Sequence, residues 1–314
     1  MADVKPSRAK AHRAARRIAL LAIAGLLAAC GIVAGIDGLE VGECKGGNCA
    51  PETGVAEIQI DPPAETGPPV EGGLMFDGAG LPCTSAKGPA MVRVGTTTNN
   101  FCIDSTEVTV GQYKAFTDAK GNDASGQPPE CAWNTSYAAG AGGADDNLPI
   151  AGIDWCDARA YCQFAGKRLC GKHKDGKFVG PVAQDELADF AVHEWLLACS
   201  AAGQLRYPYG GIQVPTACNT GENDAGRTVV VKSKTGCQGG FPGVYDMVGN
   251  LWEWFDGPCP PPDGGLDAGP EKAGCLLKGG SYAVTGMNLG CSTNGLGATR
   301  DTRSTEVGFR CCSD

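Results

Sequence analysis

The pattern of apolar and polar residues predicts three helices, all beyond residue 100. The clearest follows Asp154, which can cap a helix that Gly166 would end. Its apolar side chains fall on one face at helical spacing: Trp155, Ala158, Cys162 and Ala165. Amphipathic helices of this kind pack against a core, so this segment is predicted to lie at the centre of a folded domain.

The other two helices are shorter. TVGQYKAF begins with Thr109, and Gln112 stands three residues later as the partner of a capping box. The third is predicted within the stretch from Asp185 to Cys199, which includes HEWLLAC. Glycine is abundant, with 48 residues, and long regular stretches are few. We therefore expect one loop-rich domain over residues 76–314.

The N-terminal residues have the pattern of an export signal. An apolar run of 12 residues extends from Ile18 to Ala29. Basic residues precede it: Lys5, Arg8, Lys10, Arg13, Arg16 and Arg17. A membrane-spanning helix needs roughly 20 apolar residues, so a permanent transmembrane segment is the weaker interpretation.

The apolar run ends in Leu27-Ala28-Ala29-Cys30, which resembles the bacterial lipobox. On this interpretation residues 1–29 are a lipoprotein signal peptide and Cys30 carries the lipid, the alternative being a cysteine there by chance. Gly31 is not an acidic retention residue, which favours the outer membrane of the cell envelope. Residues 30–75 are rich in Pro, Gly and Glu, which predicts a lipid anchor followed by a flexible tether.

Charge and cysteine content limit the possible partners, metals and cellular compartment. The net charge of −9 disfavours nucleic acid as a partner, because binding nucleic acid requires a basic face. The 17 cysteines indicate an oxidising compartment, and sixteen remain to pair if Cys30 is lipidated. Zinc is disfavoured because no CxxC pair occurs and only His173 and His193 follow the signal. Cys44 and Cys49 could close a small loop within the tether.

Six phrases, read in order, resemble the formylglycine-generating enzyme (sulfatase-modifying factor) family. They are IDSTEVTVGQYKAF, DWCDARAYCQFAGKRL, EWLLACSAAG with YPYG, GVYDMVGNLWEW, KGGSY and VGFRCC. The resemblance covers roughly residues 101–312. It implies an irregular α+β fold that is C-type-lectin-like, with little regular structure and multiple disulfide bonds.

The resemblance also implies structural calcium. The family's calcium loop maps to the side chains of Asp246 and Glu253 and to the carbonyls of Gly249 and Leu251. Oxygen ligands suit this hard cation. In the alternative interpretation, Asp246 caps a turn and Glu253 is half-exposed. A second calcium site maps to a further set of residues: Asn219, the Thr220 carbonyl and Asp224.

This chain departs from the family at the catalytic metal, because the family's copper(I) ligands are missing. The family holds copper between two thiolates, placed two and seven residues after the Tyr of GGSY. Those positions are Val284 and Leu289 here, and neither side chain binds a metal. Copper is therefore not expected. Ser281 and Trp252, from the family's active-site region, are retained, either for binding or as fold determinants.

Disulfide pairings follow partly from the resemblance and partly from loop length. Family positions imply the bonds Cys162–Cys311 and Cys199–Cys291. Closure of short loops favours Cys218–Cys237 and Cys259–Cys275. The sequence favours no pairing for the remaining domain cysteines: Cys83, Cys102, Cys131, Cys156, Cys170 and Cys312.

These observations favour a lipid-anchored, non-catalytic binding or scaffold module for a protein, glycan or envelope ligand. One alternative is a copper-dependent oxidoreductase that converts a sulfatase cysteine to formylglycine through a relocated site. Another is iron-dependent sulfur–carbon bond formation, which requires a histidine-rich site that this chain lacks. Because one fold hosts many functions, the choice depends on the site residues.

Overall fold

The computed structural model describes residues 83–314, apart from residues 86, 122, 141–142, 224–225, 261–268 and 287–288. The predicted signal peptide, Cys30, the tether with Cys44 and Cys49, and Asp224 lie outside these residues. The α-helices are α1 Val110–Lys120, α2 Trp155–Phe164 and α3 Glu194–Ser200. The strands are β1 Met91–Gly95, β2 Asn100–Asp104, β3 Arg168–Leu169, β4 Lys172–Lys174, β5 Lys177–Gly180, β6 Trp252–Trp254, β7 Gly274–Lys278, β8 Asn294–Thr299, β9 Val307–Phe309 and β10 Cys311–Ser313.

The strands form two four-stranded sheets and one hairpin. The first sheet has the order β1-β2-β10-β3 and is antiparallel, and β4 pairs with β5 in the hairpin. The second has the order β8-β7-β6-β9, in which β6 and β9 are parallel. β9 and β10 lie in different sheets and are separated only by Arg310. The C-terminal segment therefore joins the two sheets.

Capping side chains determine where the first two helices begin, as the sequence predicts. Thr109 Oγ1 accepts the Gln112 N–H, and Gln112 Oε1 accepts the Thr109 N–H. Asp154 and Asp157 form the same reciprocal pair at the start of α2. Each cap of this kind contributes about 1 kcal/mol.

The third helix is shorter than the predicted segment. Residues Gln184–Glu186 form one 3-10 turn, and α3 begins only at Glu194. It ends at Ala201, which has a left-handed φ of 49°. The intervening segment is held by turns, in which the Val192 and His193 N–H groups both donate to the Asp189 carbonyl.

The core has two hydrophobic clusters. The first packs α1 and α2 against the second sheet through the rings of Tyr113, Phe116, Tyr161 and Phe309. The second surrounds α3, whose side chains from Glu194 to Ser200 are all buried. Burial of each large apolar side chain contributes roughly 1.5–3 kcal/mol. No helix of the described residues is long and apolar enough to cross a membrane.

Within the described residues, seven disulfide bonds hold the irregular segments. The four bonds expected from the sequence are present: Cys162–Cys311, Cys199–Cys291, Cys218–Cys237 and Cys259–Cys275. Three more join the cysteines for which the sequence favours no pairing: Cys83–Cys102, Cys131–Cys156 and Cys170–Cys312. The fold is thus the loop-rich, disulfide-bonded α+β class that the sequence predicts.

Candidate functional site

Ser281 and Trp252 meet through a third residue, Glu306. The buried Ser281 hydroxyl donates to Glu306 Oε2 at 2.6 Å. The backbone N–H of Trp252 donates to the Glu306 carbonyl at 2.8 Å. Ser281 Oγ also accepts the Ala283 N–H at 3.2 Å, which turns the chain after β7. The sequence places the first two residues in one site but does not single out Glu306, which stands just before the VGFRCC phrase.

Aliphatic side chains fill the positions of the family's copper ligands. Leu289 is 4% exposed and belongs to the second hydrophobic cluster, against which the half-buried Val284 packs. Leu289 also lies directly over Gly280, where an added Cβ would come within 2.2 Å of Leu289 Cδ1. These two residues therefore take part in core packing at the positions where the family binds copper.

No free thiol is present among the residues that the structure describes. Cys291, two residues after Leu289, is bonded to Cys199. Cys311 and Cys312, adjacent in sequence, are bonded to Cys162 and Cys170. The remaining described cysteines pair in the other four disulfides. Copper(I) requires soft thiolate or thioether ligands, so the described cysteines supply no copper site.

The GVYDMVGNLWEW loop brings acidic groups together around one arginine. Asp246 and Asn250 adopt left-handed φ values of 57° and 60°, which tighten the loop. Glu107 accepts the Leu251 N–H and an Asn250 Nδ2 hydrogen, although the sequence gives Glu107 no role. Burial, reinforced by Asp246 and Glu253, raises the pKa of Glu107 well above its ordinary value.

Both carboxylate oxygens of Glu253 accept hydrogen bonds from protein groups. Arg310 Nε and Nη2 donate to Oε1 at 3.0 and 2.7 Å. Arg310 Nε and Trp195 Nε1 donate to Oε2 at 2.8 and 2.7 Å. These contacts use three N–H groups, since the single Arg310 Nε–H is shared between both oxygens, and they place a guanidinium charge directly against the carboxylate. Glu253 is therefore not the half-exposed residue of the alternative interpretation, and it does not fit the role of a calcium ligand.

Asp246 keeps part of its acceptor capacity. Its Oδ2 accepts the Lys232 N–H at 2.6 Å, and burial raises its pKa to about 6. Gly249, with φ 79°, lets the loop approach the chain at Asn219, since an added Cβ would lie 2.3 Å from the Asn219 carbonyl oxygen. Without Glu253, Asp246 is the one carboxylate that remains in the first predicted calcium set.

Asn219 fits a cation site better. Its Nδ2 donates to the carbonyl of Arg227 and to Asn250 Oδ1, both at 3.0 Å, which fixes the orientation of the amide. Its Oδ1 is buried and has no hydrogen-bond partner. A buried acceptor without a partner costs about 1–3 kcal/mol, which a bound cation would offset. Thr220 follows directly, and its carbonyl accepts the Asn223 N–H.

One other group of potential metal ligands converges in the described part of the chain: Cys170, Glu194 and Cys312. The two sulfurs are bonded to each other. Both Glu194 oxygens accept from Arg168, at 2.6 and 2.7 Å, and Oε2 also accepts the Gly171 N–H. These groups satisfy one another without a metal.

Comparison with known proteins relates this chain to one protein family. The family model of the sulfatase-modifying factor enzyme 1-like domain matches residues 69–314. The chain is 28% identical over 200 residues to the inactive C-alpha-formylglycine-generating enzyme 2 of Mus musculus, covering 59% of this chain and 56% of that protein. It is 28% identical over 217 residues to the formylglycine-generating enzyme of Thermomonospora curvata, covering 59% and 62%.

The solved structure of PvdO from Pseudomonas aeruginosa is 21% identical, with a TM-score of 0.46, covering 75% of this chain and all of that one. The chain spans about half the length of the first curated relatives it matches. The family match covers more than three quarters of the sequence, from residue 69 to the last residue, Asp314. The chain therefore belongs to the family of sulfatase-modifying factor enzyme 1-like domains.

Proposed function

We propose that this protein is a non-catalytic member of its family, which binds or holds a partner at the cell envelope. The observation that carries the proposal is the replacement of the copper ligands by Val284 and Leu289, which pack in the core. Oxidation of a cysteine in this family depends on copper(I) between two thiolates. Every described cysteine is in a disulfide bond, so the part of the chain that the structure describes offers no second pair of thiolates.

The comparisons support this assignment without deciding it. One relative, which is 28% identical to this chain, is itself named an inactive C-alpha-formylglycine-generating enzyme. The retained Ser281 hydroxyl donates to Glu306, which gives this side chain a structural role independent of catalysis. The partner is a protein, a glycan or another envelope component.

The test of this function is an aldehyde-specific probe on a sulfatase-type cysteine peptide, with the purified protein loaded with copper(I). We expect no aldehyde. The matched variant Val284→Cys with Leu289→Cys supplies two thiols at the family positions and shows whether the assay detects a restored site. Turnover by the unaltered protein would refute the proposal and restore the oxidoreductase alternative.

We also propose that Cys30 is lipidated and anchors the protein at the envelope, in the outer membrane. The support is the lipobox-like sequence at the end of the apolar run. Each buried methylene contributes ~0.8 kcal/mol, so two or more acyl chains give stable attachment without a protein patch on the membrane. Intact mass of the mature protein should show the lipid, and Cys30→Ser should abolish it. An unmodified N-terminus at another residue would contradict the anchor.

We propose calcium as a structural cation at Asn219. The free Asn219 Oδ1 and the Thr220 carbonyl would hold it, and the ion would supply positive charge beside buried oxygens. Chelation should lower the melting temperature of the protein, and Asn219→Ala should make the melting temperature insensitive to the chelator. Glu253→Gln is the control, because this residue is already occupied by Arg310 and should leave chelator sensitivity in place.

A further inference from the structure

A lysine lies in the interior without a counter-ion. Lys278 ends β7 and its side chain is 0% exposed. Its Nζ makes one long hydrogen bond, 3.4 Å, to the Leu187 carbonyl, and lies 5.9 Å from the centre of the Trp195 ring. No ion pair with a described residue reaches it, and burial alone lowers the pKa of Lys278 to about 8. Lys278 therefore lacks the counter-charge that a buried ammonium needs.

Two buried histidines also have ring nitrogens without hydrogen-bond partners. His193 is fully buried, stacks on Phe255 at 5.0 Å, and neither of its ring nitrogens has a hydrogen-bond partner. His173 Nδ1 lies 3.1 Å from the Val192 carbonyl, which makes Nδ1 the donor and leaves Nε2 as a buried acceptor without a partner. Unpaired buried polar groups of this kind are uncommon, and an ion or water that they enclose explains them.

The backbone brings the segments that carry these side chains next to one another. Lys172 of β4 pairs with His193 in an isolated bridge, and the His173 N–H donates to the Val192 carbonyl, so the chain before α3 runs beside β4. Leu187, whose carbonyl contacts Lys278, belongs to the same segment that ends at His193. Burial lowers the pKa of His193, and the charges of Lys278 and His173 lower it further.

The carboxylates nearest to these groups are engaged elsewhere. Glu253, the strand partner of Lys278, is taken up by Arg310 and Trp195. Glu194, next to His193, is taken up by Arg168. A metal cation is disfavoured because Lys278 carries the same charge and only two imidazoles are available. A buried ammonium requires a negative charge, so a small anion satisfies the site best.

We propose that Lys278 and His193 bind a small inorganic anion, of the chloride type, in the region that β7, the start of α3 and the residue 184–193 segment enclose. The lysine ammonium and one imidazole N–H donate to the ion. The anion neutralises the buried charge and ties the 184–193 segment to the second sheet. Lys278, His173 and His193 are all fully buried, so the ion is stabilising and not a surface counter-ion.

The proposal is tested by thermal unfolding of the full chain in sodium chloride against sodium gluconate at equal ionic strength. We expect the melting temperature to rise by about 3–5 °C for each tenfold increase in chloride above half-saturation. Lys278→Met should remove this dependence, since a neutral side chain of similar length needs no anion. A chloride effect that is the same in both proteins, or absent from the unaltered protein, would overturn the proposal.

Crystals grown in sodium bromide provide a second measurement that does not depend on a variant. An anomalous peak between Lys278 Nζ and the His193 ring would support the site. A water molecule or a transition metal at that position would overturn it. His193→Phe keeps the stacking on Phe255 and removes the N–H donor, so it should weaken halide binding while the domain remains folded.

Discussion

Arg310 and Glu253 form a fully buried ion pair at the point where the C-terminal segment passes from one sheet to the other. Side-chain exposure is 0% for Arg310 and 1% for Glu253. Arg310 also donates to the backbone carbonyls of Asp104, in the first sheet, and Tyr245, in the acidic loop. One guanidinium therefore links both sheets to the loop in which the sequence predicts calcium.

The first prediction concerns this pair. Arg310→Met should lower the free energy of unfolding by about 3–5 kcal/mol, because Glu253 keeps a buried charge without compensation. Adding Glu253→Leu should recover part of the loss. Denaturant unfolding with the disulfides intact measures both. The control is Lys114→Ala, since the Lys114–Asp118 pair is more than 60% exposed and should contribute less than about 1 kcal/mol. Equal effects at the two pairs would contradict the role of Arg310.

The second prediction concerns thiols. The denatured, unreduced protein should release at most three thiols to Ellman's reagent, from Cys30, Cys44 and Cys49. Every other cysteine lies in one of the seven disulfide bonds. Peptide mapping should then link Cys170 to Cys312, a pairing that the sequence does not indicate. A peptide that joins Cys170 to another cysteine would show that the C-terminal strand is anchored differently.

The third prediction compares two disulfides of different span. Cys162–Cys311 closes a separation of 149 residues and Cys259–Cys275 closes one of 16. In the chain-entropy model, alanine replacement of both cysteines costs about 5 kcal/mol for the first and about 3 kcal/mol for the second. Melting temperatures of the two double variants should therefore differ in this order. The reverse order would mean that native packing, and not loop entropy, controls the contribution.

The fourth prediction is a pH dependence at the start of α2. Burial, reinforced by Asp154, raises the pKa of Asp157 to about 7, although Arg303 contacts both carboxylates at 2.7 and 2.8 Å. Because the folded pKa exceeds the unfolded value of 3.8, this stabilising contribution is complete below pH 3.8 and is lost as the pH rises through 7. Relative to Asp157→Asn, the unaltered protein should lose about 2 kcal/mol between pH 5 and 7.

Unfolding of both proteins in urea at several pH values measures that difference. Asp123→Asn is a suitable control, because Asp123 lies at the surface and its pKa is lowered by hydrogen bonds from Ser125. The control should follow the unaltered protein across this range. A constant difference between the unaltered protein and Asp157→Asn would show that Asp157 does not take up a proton in the folded state.

The sequence by itself determined the features that depend on near neighbours. Thr109 with Gln112 and Asp154 with Asp157 are three residues apart, and helix geometry brings such pairs together in any fold. Short-loop disulfides such as Cys218–Cys237 are found for a similar reason, because few alternatives lie within reach. The resemblance to the family also predicted the fold class and the absence of copper ligands at Val284 and Leu289.

The tertiary structure decided which distant groups meet. Glu253 and Arg310 are 57 residues apart, and Ser281 and Glu306 are 25 apart. No local spacing predicts that Arg310 reaches Glu253, so the sequence assigned that carboxylate to calcium. The buried positions of Lys278 and His193 are decided in the same way, because burial depends on which strands and loops pack over a side chain. Side-chain type indicates what chemistry a residue can perform, whereas packing decides which partner it has.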